Sequence, residues 1–201
     1  MGKRSYSLIG FCLVLSVTVW GQQGTFKQLL DYSRPGPYHQ LLAELAGEWN
    51  FTGRHYSGHP NPDSNQVVAR FGGRLVRTAF GSGRFFIVDM TGGKLPIPVQ
   101  DGKMLETAYK EQQTEGYDNV KQKFVLTTFN NHIGSDIQYL EGAYNASTRT
   151  ISYEGEEELL PGQKERKRVY FIFQDKNHYK VEYYDDKNVK VHEVVCERVK
   201  S

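Results

Sequence analysis

The sequence predicts an all-β protein: an antiparallel up-and-down β-barrel of about 8–10 strands with a short N-terminal capping helix. Three observations carry that prediction. From Trp49 to the C-terminus the chain runs in short β-type segments of even spacing. The breaks carry turn chemistry, as at Gly72-Gly73, Gly81-Ser82-Gly83, Gly92-Gly93, Asp101-Gly102, Asp118-Asn119, Asn145-Ala146-Ser147, Pro161-Gly162 and Asp186-Lys187-Asn188. Several segments alternate, with Phe124 and Leu126 against Lys123 and Val125, and Tyr179, Val181 and Tyr183 against Lys180 and Glu182. Such segments fit a sandwich or a closed barrel, and closure, which leaves no unpaired strand edge, favours the barrel.

In chain order, residues 1–21 read as a signal peptide. Lys3 and Arg4 form a positive start, and Leu8 to Trp20 is uncharged. A stretch of that length fits the ~7–15 residues of an export signal and falls short of the ~20 that span a bilayer. Gly21 offers a small residue for cleavage before Gln22. The expected destination is periplasmic or secreted, with no membrane span after cleavage. Residues 22–36 form a lead-in with Phe26, Leu29 and Leu30 at helical spacing. The barrel domain is expected over 37–201. Pro37 suits a first helical position, where its missing N–H costs nothing. Tyr38, Leu41, Leu42 and Leu45 make one apolar stripe, and Gly47 can end the helix. Strand-like segments follow at 48–57, 66–72, 74–80, 84–90, 104–117, 121–130, 136–144, 148–156, 165–174, 178–185 and 189–199. The loop around His59 to Asp63 and the stretch Leu95-Pro96-Ile97-Pro98 are the least regular pieces and are expected at a barrel mouth.

Composition excludes several classes. The 201 residues are 13% aromatic with a formal charge of +2, too aromatic and too balanced for a disordered chain. Removing Lys3 and Arg4 from the 25 basic residues leaves a chain balanced against its 23 acidic ones. Nothing therefore points to nucleic acid or to an anionic membrane surface. Export would also remove Cys12 and leave Cys196 alone in the strand pattern VHEVVCERV, read as a buried inert thiol.

Catalytic patterns are thin. His55, His59 and Asp63 lie close in sequence but straddle a strand end and a Pro-rich loop, so no metal site is expected. His39, His132, His178 and His192 are isolated, and no nucleophile elbow, zinc signature, phosphate loop or dinucleotide fingerprint accompanies them. No cofactor is expected.

Gly47-Glu48-Trp49, between a capping helix and a first strand, resembles the G-x-W signature of lipocalins and the wider calycin barrels. In those folds the Trp closes one end of the barrel and an Arg from the last strand packs across its ring. The resemblance implies Trp49 and Arg198 as the barrel-closing pair, with a cation–π contact of ~0.5–2 kcal/mol. A broader match covers most of the chain. The helix at 39–51, Phe71-Gly72-Gly73-Arg74-Leu75, Glu115-Gly116-Tyr117-Asp118-Asn119, Glu141-Gly142-Ala143-Tyr144-Asn145 with Thr148-Arg149-Thr150, and Arg168 before an apolar strand resemble, in order and spacing, the bacterial family catalogued as domain of unknown function 1579. The family's W-x-D segment reads Thr127-Thr128-Phe129-Asn130-Asn131 here, and 84–110 matches poorly. The resemblance implies a calycin-like barrel, often exported, and no established reaction.

Tyr-rich strands suit a lumen that takes a small, partly apolar molecule. The candidate ligand-binding residues are Tyr117, Phe129, His132, Tyr139 and Tyr183. The expected function is non-catalytic binding of a small hydrophobic or amphipathic ligand in the lumen. Two alternatives stand beside it: a hydrolase or isomerase in the same cavity with His132 or Asp118 as base, and a filled barrel acting as a structural or interaction module.

Overall fold

The computed structural model describes residues 24–200 apart from 62, 64 and 135. The expected signal peptide and its cleavage point after Gly21 lie outside the described residues. Residues 24–34 form one unit, in which 24–32 are the helix α1, supported by the Lys27–Asp31 ion pair at 2.7 Å.

The second unit begins at Pro35 and contains the barrel. Its helix α2, Pro37–Ala43, starts with Pro37 in the first turn, and the Gly36 N–H donates to His39 Nδ1 at 2.9 Å. Leu42 and Leu45 of the predicted stripe are buried. The chain turns at Gly47, whose φ of +117° is a region glycine enters freely. Ten strands follow: β1 Gly47–Tyr56, β2 Val67–Phe80, β3 Phe85–Pro98, β4 Met104–Asp118, β5 Lys123–Asn130, β6 Gln138–Asn145, β7 Thr150–Leu160, β8 Gln163–Phe173, β9 His178–Tyr184 and β10 Lys190–Arg198. Each pairs antiparallel with its neighbour in sequence, and β1 pairs with β10, so the sheet closes.

Two expected turns are instead strand interior. Gly72-Gly73 lies within β2, joining the segments expected at 66–72 and 74–80, and Gly92-Gly93 lies within β3 at an irregularity between Thr91 and Lys94. The physical reason is close approach. A Cβ on Gly73 would lie 2.1 Å from the Thr91 carbonyl oxygen and 2.9 Å from the Phe51 ring. Glycine there lets the curved strands converge around an aromatic side chain. Leu95 to Pro98 is also strand, paired with Met104 to Thr107 of β4. The β2–β3 ladder stops at Gly92, so Pro96 and Pro98 lie on a segment paired only with β4, the edge-like setting in which a sheet tolerates proline.

Alternation decides what faces inward. Trp49, Phe51, Phe86, Val88, Phe124, Leu126, Phe171, Tyr179, Val181, Val194 and Cys196 form a buried cluster beneath α2. Each fully buried ring or aliphatic side chain contributes about 1.5–3 kcal/mol relative to exposure. Within it sits a buried ion pair between β2 and β4. Arg77 Nε and Nη2 donate to the two Glu115 carboxylate oxygens at 2.9 and 2.7 Å, and Arg77 Nη1 reaches the Leu45 carbonyl at 3.2 Å. Burial alone would lower the Arg77 pKa, but the charge and hydrogen bonds of Glu115 outweigh it and the net shift is upward.

Candidate functional site

The two ends of the lumen differ. At the α2 end the space is filled. Trp49 is fully buried and its indole N–H donates to the Leu45 carbonyl at 2.9 Å. Arg198, its register partner on β10, lies with its guanidinium carbon 4.1 Å from the indole centre. The same guanidinium donates to the carbonyls of Ala46 at 2.7 Å, Lys176 at 3.0 Å, and Glu44. It thus ties the helix-to-strand turn to the last strand.

At the opposite end the lumen is hollow. A cavity of about 330 Å³ opens there. Its lower walls are apolar: Met90, Leu126, Leu140, Val169 and Val194. Its upper walls are polar and aromatic, with His55, Phe71, Tyr109, Glu111, Gln113, Thr128, Asn130, Gln138, Glu157, Lys167, Tyr183 and His192, and the β5–β6 connection adds His132, Ile133 and Asp136. An apolar base with a few converging polar groups is the usual form of a small-molecule site.

The polar groups fall into three sets. His55 on β1 and His192 on β10 face each other in register with their Nδ1 atoms 3.1 Å apart. Burial lowers both pKa values, and the neighbouring His55 pushes His192 further, to about 3, so the pair is neutral near pH 7. On β4, Glu111 accepts hydrogen bonds from the Tyr109 hydroxyl and the Gln113 amide. Burial and the Glu111 charge raise the Tyr109 pKa, and burial raises that of Tyr183. Across the cavity Lys167 pairs with Glu157 at 2.9 Å, and Gln138 also donates to Glu157. Thr128 Oγ1 is buried without a hydrogen-bond partner.

Of the sequence-derived ligand residues, the structure brings His132 and Tyr183 to this cavity. Tyr117 points inward at the other end, under α2, 4.6 Å from the Tyr38 ring and 5.0 Å from Phe124. Phe129 and Tyr139 are half exposed on the outer face, and the Tyr139 hydroxyl accepts from Lys121 at 3.2 Å. Strand parity is the reason: Phe124, Leu126 and Thr128 face inward, so Phe129 cannot. Asp118, considered as a base, accepts the Val120 and Lys121 N–H groups at 2.8 and 3.0 Å in the β4–β5 turn. His55 enters the lumen while His59 is exposed on the following loop, so their spacing does not bring them together. Glu111, Gln113 and Lys167 carry no motif in the sequence, and Tyr109 and His192 stand there only as a strand aromatic and an isolated histidine. Their one signal is shared parity with residues already marked as core.

The profile of the family described as "Protein of unknown function (DUF1579)" matches residues 34–197, the barrel and α2 together. No curated protein matches the chain. A redesigned β-barrel of known structure is similar over 79% of this chain and 94% of its own, at 11% identity and a TM-score of 0.37, and bears on nothing further here. The family match spans most of the sequence, from before α2 to Glu197 in β10, and the chain belongs to the DUF1579 family of unknown function.

Proposed function

We propose that this is an exported binding protein that holds a small, partly apolar molecule in the open half of its barrel, without chemical conversion. The observation that carries the reading is the cavity of about 330 Å³, apolar at its base and polar at its mouth, in a barrel whose other end is filled by a buried cluster. A lumen that served packing alone would be filled at both ends. Here polar residues stand where apolar side chains would close the space, and Thr128 Oγ1 is left without a partner. Export rests on the sequence pattern of residues 1–21.

Native mass spectrometry of protein isolated from its own host tests the binding reading. A retained small molecule, absent from a Leu126→Trp variant that blocks the base of the cavity, supports it. Wild-type protein that carries nothing and behaves like the blocked variant with every added compound overturns it. N-terminal sequencing of the mature protein tests export, with Gln22 as the expected first residue.

A further inference from the structure

The cavity wall carries a charge imbalance. Glu111 lies on the inward face of β4, and the partners of its carboxylate are the Tyr109 hydroxyl and the Gln113 amide, both neutral donors. Among the described residues no Lys, Arg or His forms an ion pair with it. The one ammonium in the lining, Lys167, is already engaged by Glu157 at 2.9 Å. Asp136 adds another carboxylate at the rim. The facing imidazoles of His55, exposed at the rim, and His192, partly buried, both titrate below the ordinary imidazole range and add little positive charge at pH 7. Three carboxylates thus line the space with a single permanent cation. The rings of Phe71, Tyr109 and Tyr183 line the same space, Phe71 and Tyr183 packed against the imidazoles.

A partly buried carboxylate held by neutral donors alone favours an incoming cation, because the wall supplies no counter-charge of its own. Aromatic faces favour a cation further through their quadrupoles. The apolar base beneath calls for a hydrophobic body on the same molecule. Neutral imidazoles could suggest a metal ion instead. Among the described residues, however, no three His, Cys, Asp or Glu side chains converge as a ligand set.

We propose that the lumen selects a small amphipathic organic cation, its ammonium seated on Glu111 and its apolar part lying on Met90, Leu126 and Leu140. This rests on the lumen-binding reading above and names the ligand class for the same site.

Calorimetric titration of the full chain with three probes of one skeleton tests it: 3-phenylpropylammonium, 3-phenylpropan-1-ol and 3-phenylpropanoate. The ammonium is expected to bind at least about ten-fold tighter than the alcohol, as for hydrogen bonds to ionised groups, and the carboxylate weakest. Glu111→Gln keeps the shape and both donors' positions. It is expected to bring the ammonium and the alcohol to within about two-fold of each other in affinity. If the alcohol or the carboxylate binds as tightly as the ammonium, or if Glu111→Gln leaves the ranking intact, this inference fails and lumen binding survives. If none of the three binds, this inference fails, and lumen binding stands or falls separately on the native mass spectrum of protein from its own host. A zinc titration separates the remaining source of positive charge: zinc binding lost in His192→Gln, with no ammonium preference, would replace the organic cation by a metal.

Discussion

At the scale of single residues, His192 shows how burial turns an ordinary side chain into a pH-dependent one. Its pKa is pushed down to about 3, mainly by burial and then by His55. In the unfolded chain an imidazole titrates near ~6.5. Between those values the unfolded state binds a proton that the folded state refuses, so stability is present above pH 6.5 and lost as pH falls toward 3. With partial exposure discounted, the loss attributable to this residue is on the order of 1–3 kcal/mol. Urea unfolding at pH 7.5 and pH 4.5 should show it, and His192→Gln should flatten that part of the profile. An unchanged pH dependence in the variant would mean that the ring is more hydrated than its contacts indicate.

At the scale of elements, glycine pairs explain both what the sequence discloses and what it hides. Alternation in β5 and β9 and the tight turns at Asp101-Gly102, Asp118-Asn119 and Asn145 were readable, because each rests on local chemistry. Gly72-Gly73 was ambiguous, since the same residue serves a reversal or a close crossing, and the neighbour that decides is Thr91, eighteen positions away. The cavity was hidden for a related reason. Glu111, Lys167 and His192 are polar residues on strands, ordinarily solvated, and only barrel closure turns their faces toward one space. Parity could have removed Phe129 and Tyr139, since Phe124 and Leu126 already mark the inward face. Two substitutions test the close-approach account. Gly73→Ala should destabilise the barrel by about 1–3 kcal/mol, because its methyl meets backbone on β3. Gly93→Ala should be nearly neutral, since its Cβ meets nothing nearer than 3.7 Å. Thermal melts of the two variants make the comparison.

At the scale of the whole barrel, the axis divides into a packed half and a hollow half, and the Arg77–Glu115 pair lies at the boundary. A void of about 10 Å³, room for one water at most, sits between Arg77, Gln113, Tyr179 and Tyr183 directly below the cavity. A buried bidentate pair is costly to break and often replaceable as a unit. Arg77→Met should therefore cost about 3–5 kcal/mol by leaving Glu115 buried and unpaired. Arg77→Met with Glu115→Leu should recover most of that loss in urea unfolding. Equal losses in the single and double variants would show that the pair does not act as one unit.

Cys196 lies in the packed half, fully shielded, with burial raising its thiol pKa to about 11. A thiol so placed stays protonated and out of reach of an oxidant or of another chain's sulfur. In an oxidising compartment it is thereby spared mixed disulfides, and two copies cannot be cross-linked through it while the barrel is shut. It also makes the molecule its own clock. In a Cys12→Ser chain, alkylation of Cys196 by iodoacetamide can proceed only during excursions that part β10 from β1 or from β9. The labelling rate at pH 8 therefore reads how often the barrel unzips, and an occupied lumen should slow it.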